Sequence, residues 1–189
     1  ILYRNNESAL PMIDMLERKG LSYRMKNTDM TFFSHPVVND ICDFIRLSLD
    51  PWDSETFLRI YYKMNAGINK KAAMEAVEAN TRRLTLLDTV AEMSEVSAYT
   101  RKQCKALATH LDNMRYESAG KAIYRILHYM GYQDYMEKHS MDSGKAEILK
   151  VLGEREESLF DFPARLKKLQ EMVRDGCGDP ESKLVLSTI

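Results

Sequence analysis

Long apolar runs are missing. None of the 189 residues lies in a stretch approaching the ~18–20 consecutive apolar positions a helix needs to cross a bilayer. A basic leader followed by an apolar core and a small-residue cleavage site is also missing, so neither a membrane partner nor secretion is indicated. Cysteine is scarce: Cys42, Cys104 and Cys177 are odd in number, far apart and never paired as CxxC. That favours free thiols in a reducing compartment over a disulfide scaffold or a zinc site, and the expected location is cytoplasmic. Charge of one sign is absent too. Lys and Arg total 27 against 28 Asp and Glu, a formal net charge of −1, so overall charge gives no argument for a nucleic-acid partner. The 44% hydrophobic and 29% charged content is ordinary for a globular chain long enough for one generous domain or a small pair.

Catalytic signatures are equally lacking. "AGKA" at 119–122 has a Gly–Lys pair but neither the preceding glycine nor the following Ser or Thr of a phosphate-cradling loop. His35, His110, His128 and His139 form no HxxxH or HExxH spacing, so metal ligation is not expected. Ser8 and Ser118 lack a glycine-flanked elbow. Glu154, Glu156 and Glu157 read as a solvated helix face. No catalytic residue is expected in this chain.

What is present is an asymmetric alternation of elements. "ILYR" reads as a strand, "ESALPMIDMLERKG" as a helix with Leu10, Ile13 and Leu16 on one face, and "LSYRM" as a strand. This strand–helix–strand unit predicts a parallel pair. "MTFF" adds a short extended piece, and "HPVVNDICDFIRLSL" a second helix with Pro36 in its first turn. From about Asp53 to Asp175 the pattern is helical throughout, with no fixed-length repeat or low-complexity linker. Asp53, Asn69 and Ser97 are placed to cap "SETFLRIYYKM", "KKAAMEAVEANTRR" and "AYTRKQCKALATHLDNMRYE". "LTLLDTVAEMSE", "SAGKAIYRILHYMGY", a segment ending near His139 and "SGKAEILKVLGEREESLFDF" continue the block. Pro163 opens the last helix and Gly176 closes it. "LVLSTI" returns as a strand whose expected partner is the one at the start. Both ends look like strands interrupted in mid-element.

The fold expected is therefore mainly α: a helical bundle inserted into a small, incomplete parallel α/β sheet. Residues 1–50 form the α/β segment, 51–181 the helical insertion and 182–189 the returning strand.

Two local features bear on binding. From Arg59 to Arg83 there are six basic residues (Arg59, Lys63, Lys70, Lys71, Arg82, Arg83) against Glu75 and Glu78. This is either a solvated helix face or a phosphate-binding patch. Within it, "NAGINKK" places a glycine turn before a helix start, where free amides, the positive dipole end and two lysines can hold a backbone phosphate without reading bases. An ordinary interhelical turn is the alternative. Tyr61, Tyr62, Tyr124, Tyr129, Tyr132 and Tyr135 sit among apolar helix positions and read mostly as packing, as do the 12 methionines.

The stretch "ILYRNNESALPMIDMLERKGLSYRM…FFSHPVVNDICDFIRL" resembles superfamily 1 DNA helicases of the UvrD/Rep/PcrA type. The residues that carry it are Tyr3-Arg4-Asn5-Asn6, Gly20-Leu21-Ser22-Tyr23-Arg24, and Phe32-Phe33 through Asp40, Phe44, Arg46 and Leu47. "NAGIN" is similar to the family's glycine turn, "SLFDFPARLKKL" to its late 2B helices, and "LVLSTI" to the strand before its T-(L/I)-H-x-x-K-G-L-E motif. The resemblance implies that 1–50 belong to the second RecA-like domain (2A), 51–181 to the inserted helical 2B subdomain and 182–189 to the returning 2A strand. It implies single-strand contacts at Arg4 and Asn6, and duplex contacts at Gly67, Ile68, Asn69, Lys70 and Lys71. Thr31 stands where relatives often carry Arg or Lys, and Asn69 replaces the turn's second glycine, which implies a weakened duplex grip.

By the same resemblance, the parent is an ATP-dependent helicase that translocates on single-stranded DNA and unwinds duplex. Its ATP and Mg are bound by motifs outside these residues, so this portion has no cofactor of its own and is expected to be inactive alone. The implied partners are single-stranded DNA, the duplex junction, the rest of the motor and a repair or replication protein. The implied gating is rotation of the helical block about connections near Leu49–Asp53 and Gly176–Ser182. Two alternatives remain open: a helical protein-interaction or regulatory module with no DNA contact, and a stand-alone helical enzyme.

Overall fold

In the computed structural model, which describes residues 1–25, 31–174, 179 and 181–188, the two ends of the chain share one sheet. Strands β1 (Leu2–Tyr3) and β2 (Arg24–Met25) each pair in parallel with β3 (Val185–Thr188), in the order β1-β3-β2. Leu2 lies opposite Ser187 and Arg24 opposite Val185. The pairing of β3 with the first strand is as the sequence predicts, but β1 and β2 are not neighbours: the last strand separates them. Burial follows that order: Leu186 on the central strand is fully buried, whereas Leu2 at the edge is 69% exposed.

Among the described residues ten α-helices follow: α1 (Leu10–Arg18), α2 (Pro36–Leu49), α3 (Ser54–Ile60), α4 (Lys70–Glu78), α5 (Leu86–Glu92), α6 (Ala98–Met114), α7 (Ala119–Tyr129), α8 (Tyr132–Lys138), α9 (Gly144–Gly153) and α10 (Phe162–Arg174). The chain is thus mainly helical with a small parallel sheet, as expected. Caps form where the sequence places them: Asp53, Asn69 and Ser97 accept the amides of Thr56, Ala72 and Thr100.

Four local expectations need correction. Residues 32–34 form a 3-10 turn with Phe32 buried, not an extended piece. Helix α3 gives way to a 3-10 turn at Tyr61–Lys63. Helix α4 stops at Glu78 instead of running to residue 83: the Asn80 side chain is tied by its Nδ2 to the Trp52 carbonyl (2.9 Å), and Arg82 takes φ +60°, which no helix continues. The helix expected over 143–162 breaks after Gly153, where α9 meets α7: a Cβ on Gly153 or Gly120 would come within 2.9 Å of the other helix's backbone. The turn at 176–182, its closing Gly176 and the final Ile189 fall wholly or partly outside the described residues.

One apolar core runs through these helices without a break at residue 50. Helix α2 packs against α3, α6, α7 and α9, and Phe44 meets the Tyr132 ring at 5.3 Å. Polar ties reinforce that packing. Asp40 of α2 receives Lys63 Nζ at 2.5 Å and the Tyr132 hydroxyl at 2.9 Å, all three side chains being buried. Asp43 receives Arg59 Nε at 2.7 Å. A pivot at Leu49–Asp53 would have to sever these contacts and expose charged groups. Helix α1 is fastened separately, by Asp14 bonded to Arg18, Arg155 and Arg165. No helix among the described residues is long and apolar enough to cross a membrane.

Cys42 and Cys104 are free thiols; Cys177 lies outside the described residues. Burial pushes Cys42 up to about 11, with Arg46 opposing, and pushes Cys104 up to about 12, with Asp88 adding. Since the thiolate is the reactive form, both should resist iodoacetamide at neutral pH until urea unfolds the chain. Peptide mass spectrometry separates them from Cys177. Rapid native labelling of either would contradict this packing.

Candidate nucleic-acid interface

The sites expected from the sequence fall into two groups with different supports. The first lies at the carboxyl end of β1, the edge at which parallel sheets commonly meet ligands. Arg4 is exposed just beyond the strand, and Asn6 opens a 3-10 turn, Asn6–Ala9, fixed by Asn5, whose side chain accepts the Ser8 amide at 2.9 Å. Thr31 is brought here from 25 positions downstream of Asn6, its hydroxyl 3.5 Å from the Glu7 carboxylate. Glu7 itself is buried and paired with Lys145 of α9, so its charge is matched. Thr31 is thus brought beside the Asn6–Ala9 turn, in the same segment that Arg4 begins.

The second group is the turn before α4. Gly67, Asn69, Lys70 and Lys71 are exposed; Ile68 is 7% exposed and belongs to the core, so only its backbone can face a ligand. Asn69 is committed to capping, its side chain accepting the Ala72 amide at 2.8 Å. That leaves the amides of Lys70 and Lys71 without intrahelical partners at the positive end of the helix. Lys71 makes only an exposed pair with Glu75 at 3.7 Å.

The turn is buttressed by residues that sequence reasoning missed. The Tyr99 hydroxyl donates to the Asn65 carbonyl at 3.1 Å, and the Thr100 hydroxyl to the Gly67 carbonyl at 3.2 Å. Gly131, between α7 and α8, packs on Met64 and Asn65. These lie 30 or more residues away along the chain, beyond any local periodicity, so nothing in the sequence signals them.

The basic stretch divides. Lys63 is buried on Asp40, and Arg59 is held by Asp43 and Glu55, so both are structural ions. Lys70, Lys71, Arg82 and Arg83 remain on the surface. The tyrosines divide as well. Tyr132 is core, as read from the sequence, but Tyr62 and Tyr135 line an open depression of about 440 Å³ beside Asn65, with Lys138 and His139. Tyr62 meets Tyr135 edge-on at 6.0 Å between ring centres, and Tyr135 is stacked on Tyr132 and lies 4.1 Å from His139.

A nucleotide phosphate is not accommodated at Gly120–Lys121. Gly120 is buried against Gly153 and Glu154, which leaves no backbone cradle.

Comparison with known proteins agrees with this architecture. The family model of the UvrD-like helicase C-terminal domain matches residues 1–175. Among curated proteins the chain is similar to the "Putative ATP-dependent DNA helicase YjcD" of Bacillus subtilis (strain 168), at 20% identity over 179 residues. That alignment takes in 90% of this chain but 23% of the relative, so the chain spans about a quarter of the protein it matches. With that match over nearly its whole length, the chain belongs to the UvrD-like helicase C-terminal domain family.

Proposed function

We propose that this chain is the duplex-orienting, accessory portion of an ATP-dependent DNA helicase, with Arg4, Asn6 and Thr31 touching the single strand and the turn Gly67–Lys71 touching duplex backbone. The observation that carries the reading is the turn itself: an exposed glycine, two uncapped amides and two lysines at a helix start, held from behind by Tyr99, Thr100 and Gly131. Such a device grips phosphate without selecting sequence. ATP and Mg belong to the remainder of the motor in this reading, and the chain's role is geometric. The proposed division has residues 1–50 and 182–189 in the motor domain and 51–181 in the helical insertion.

Fluorescence anisotropy with a tailed duplex tests the proposal. Binding should weaken with salt, and Lys70→Glu with Lys71→Glu should lower affinity about tenfold or more and flatten the log–log salt slope by roughly 0.9 for each phosphate no longer neutralised. Arg4→Ala should weaken binding to the tail and leave blunt duplex unaffected. Equal affinity and slope in the double variant would overturn the assignment of the turn.

A further inference from the structure

We propose that Asp40 of α2 is a positioning residue for the duplex contact: its one carboxylate fixes, from within residues 1–50, two segments that hold the turn Gly67–Lys71 in shape. The inference rests on the reading of that turn as the grip on duplex backbone.

The turn does not keep its shape unaided. Between Lys63 and the cap at Asn69 the backbone passes through two left-handed residues, Asn65 at φ +49° and Gly67 at φ +68°. Such conformations persist where the surroundings over-determine them. One set of supports comes from α6, where Tyr99 and Thr100 bond the Asn65 and Gly67 carbonyls. The other consists of Lys63, immediately before Met64, and the pair Gly131–Tyr132, whose glycine packs on Met64 and Asn65.

Both members of that second set end on Asp40. Lys63 Nζ lies 2.5 Å from Oδ1 and the Tyr132 hydroxyl 2.9 Å from Oδ2, so each oxygen holds one donor. Burial, with Asp40 adding, raises the Tyr132 hydroxyl far above its ordinary value, so it stays protonated and donates. The Lys63 ammonium also stands 5.3 Å and 5.9 Å from the ring centres of Tyr62 and Tyr135, which favours the charge in that place. Asp40 and Lys63 are nearly buried and Tyr132 fully so, which leaves water little room to replace a lost partner.

Stability alone is a poor reason for such a triad. A buried ion pair is often no more stable than apolar side chains of the same volume. What it adds is direction, since each oxygen sets one donor at one distance. Asp40 is borne on the 14-residue helix α2, which packs against α3, α6, α7 and α9 and so provides a fixed frame. Through Lys63 and Tyr132 that frame sets where the amides of Lys70 and Lys71 are presented.

The test separates position from stability. Asp40→Asn leaves the Lys63 ammonium buried beside a neutral amide, and Lys63→Met leaves the carboxylate unpaired, so each should lower Tm. The double variant, Asp40→Asn with Lys63→Met, buries neither charge and should recover most of that loss. By fluorescence anisotropy it should nevertheless bind a blunt duplex about fivefold more weakly, and bind oligothymidylate as the unsubstituted chain does. In ¹H–¹⁵N spectra without DNA, the backbone amide signals of Gly67, Lys70 and Lys71 should move, and those of Arg4 and Thr31 should stay. A double variant with recovered Tm, unmoved turn signals and unchanged duplex affinity would overturn the proposal, as would equal losses toward duplex and single strand. Should the double variant fail to fold, Tyr132→Phe decides, because it keeps the ring and removes only the hydroxyl: unmoved turn signals there would overturn the proposal too. Lys70→Glu with Lys71→Glu runs alongside. If that variant binds duplex undiminished, the reading of the turn fails, while the amide signals still report whether Asp40 sets its shape.

Discussion

Replacing Asp14 with alanine is expected to destabilise the chain by about 3 kcal/mol, read from urea denaturation at neutral pH. The Asp14 side chain is 1% exposed and faces three guanidinium groups: Arg18 Nε at 3.0 Å, Arg155 Nη1 at 3.1 Å and Arg165 Nε at 2.6 Å. Without the carboxylate these cations crowd one another, with Glu156 left to answer Arg18. The figure is set at the low end for a broken buried pair because Arg18 and Arg155 are each 33% exposed, and water screens part of their repulsion. Arg165, at 13%, has little such relief.

The acid response follows from the same cluster. Burial alone would raise the Asp14 carboxyl, but hydrogen bonds from Arg18, Arg155 and Arg165 outweigh it and hold the group below its ordinary value. A carboxylate depressed in the folded state adds stability above its unfolded pKa of about 3.9 and loses it as pH falls through the folded value. The unsubstituted chain should lose stability on acidification below about pH 4, and the variant should lack that part of the slope. A loss under about 1 kcal/mol with an unchanged acid slope would show that the arginines rest on other partners.

Gly131→Ala is the second substitution with a large expected effect, about 3 kcal/mol. Its φ of +78° disfavours any side chain, and a Cβ would stand 2.7 Å from Asn65 Cβ and 2.9 Å from the Met64 carbonyl oxygen. Asn65 is itself left-handed, at φ +49°, so the two turns are locked together and neither yields easily. Gly20→Ala is the control: φ is +62°, yet nothing lies within 4 Å of its Cβ, so the backbone cost of about 1 kcal/mol stands alone. Equal losses in the two variants would mean that contact with the Met64–Asn65 turn contributes nothing. Because Asn65 leads into Gly67–Lys71, Gly131→Ala should also weaken DNA binding in the anisotropy assay while touching no DNA itself.

Much of the helical architecture was legible in the residues, because its signals are local. Caps at Asp53, Asn69 and Ser97, and Pro36 in the first turn of α2, act over three or four positions. Misreadings arose where a distant partner overrules the local pattern. Gly153 ends α9 at a crossing with Gly120, and the Asn80 side chain, just past the end of α4, is tied to Trp52. The candidate site divides in the same way. The glycine turn and its lysines could be found from spacing, but its supports, Tyr99, Thr100 and Gly131, follow no period that leads to them. Lys63 and Arg59 looked like part of a basic surface because formal charge along the chain says nothing of Asp40 and Asp43 waiting on α2.

The strand order has a consequence for the sequence of folding within this segment. Among the described residues β1 and β2 meet only through β3, which follows all ten described helices along the chain. Contacts of such long separation carry a large loop-closure cost and form slowly, whereas neighbouring helices can pack at once. The small sheet is therefore the last part of this segment to close, and its strands take their register from a helical body already in place.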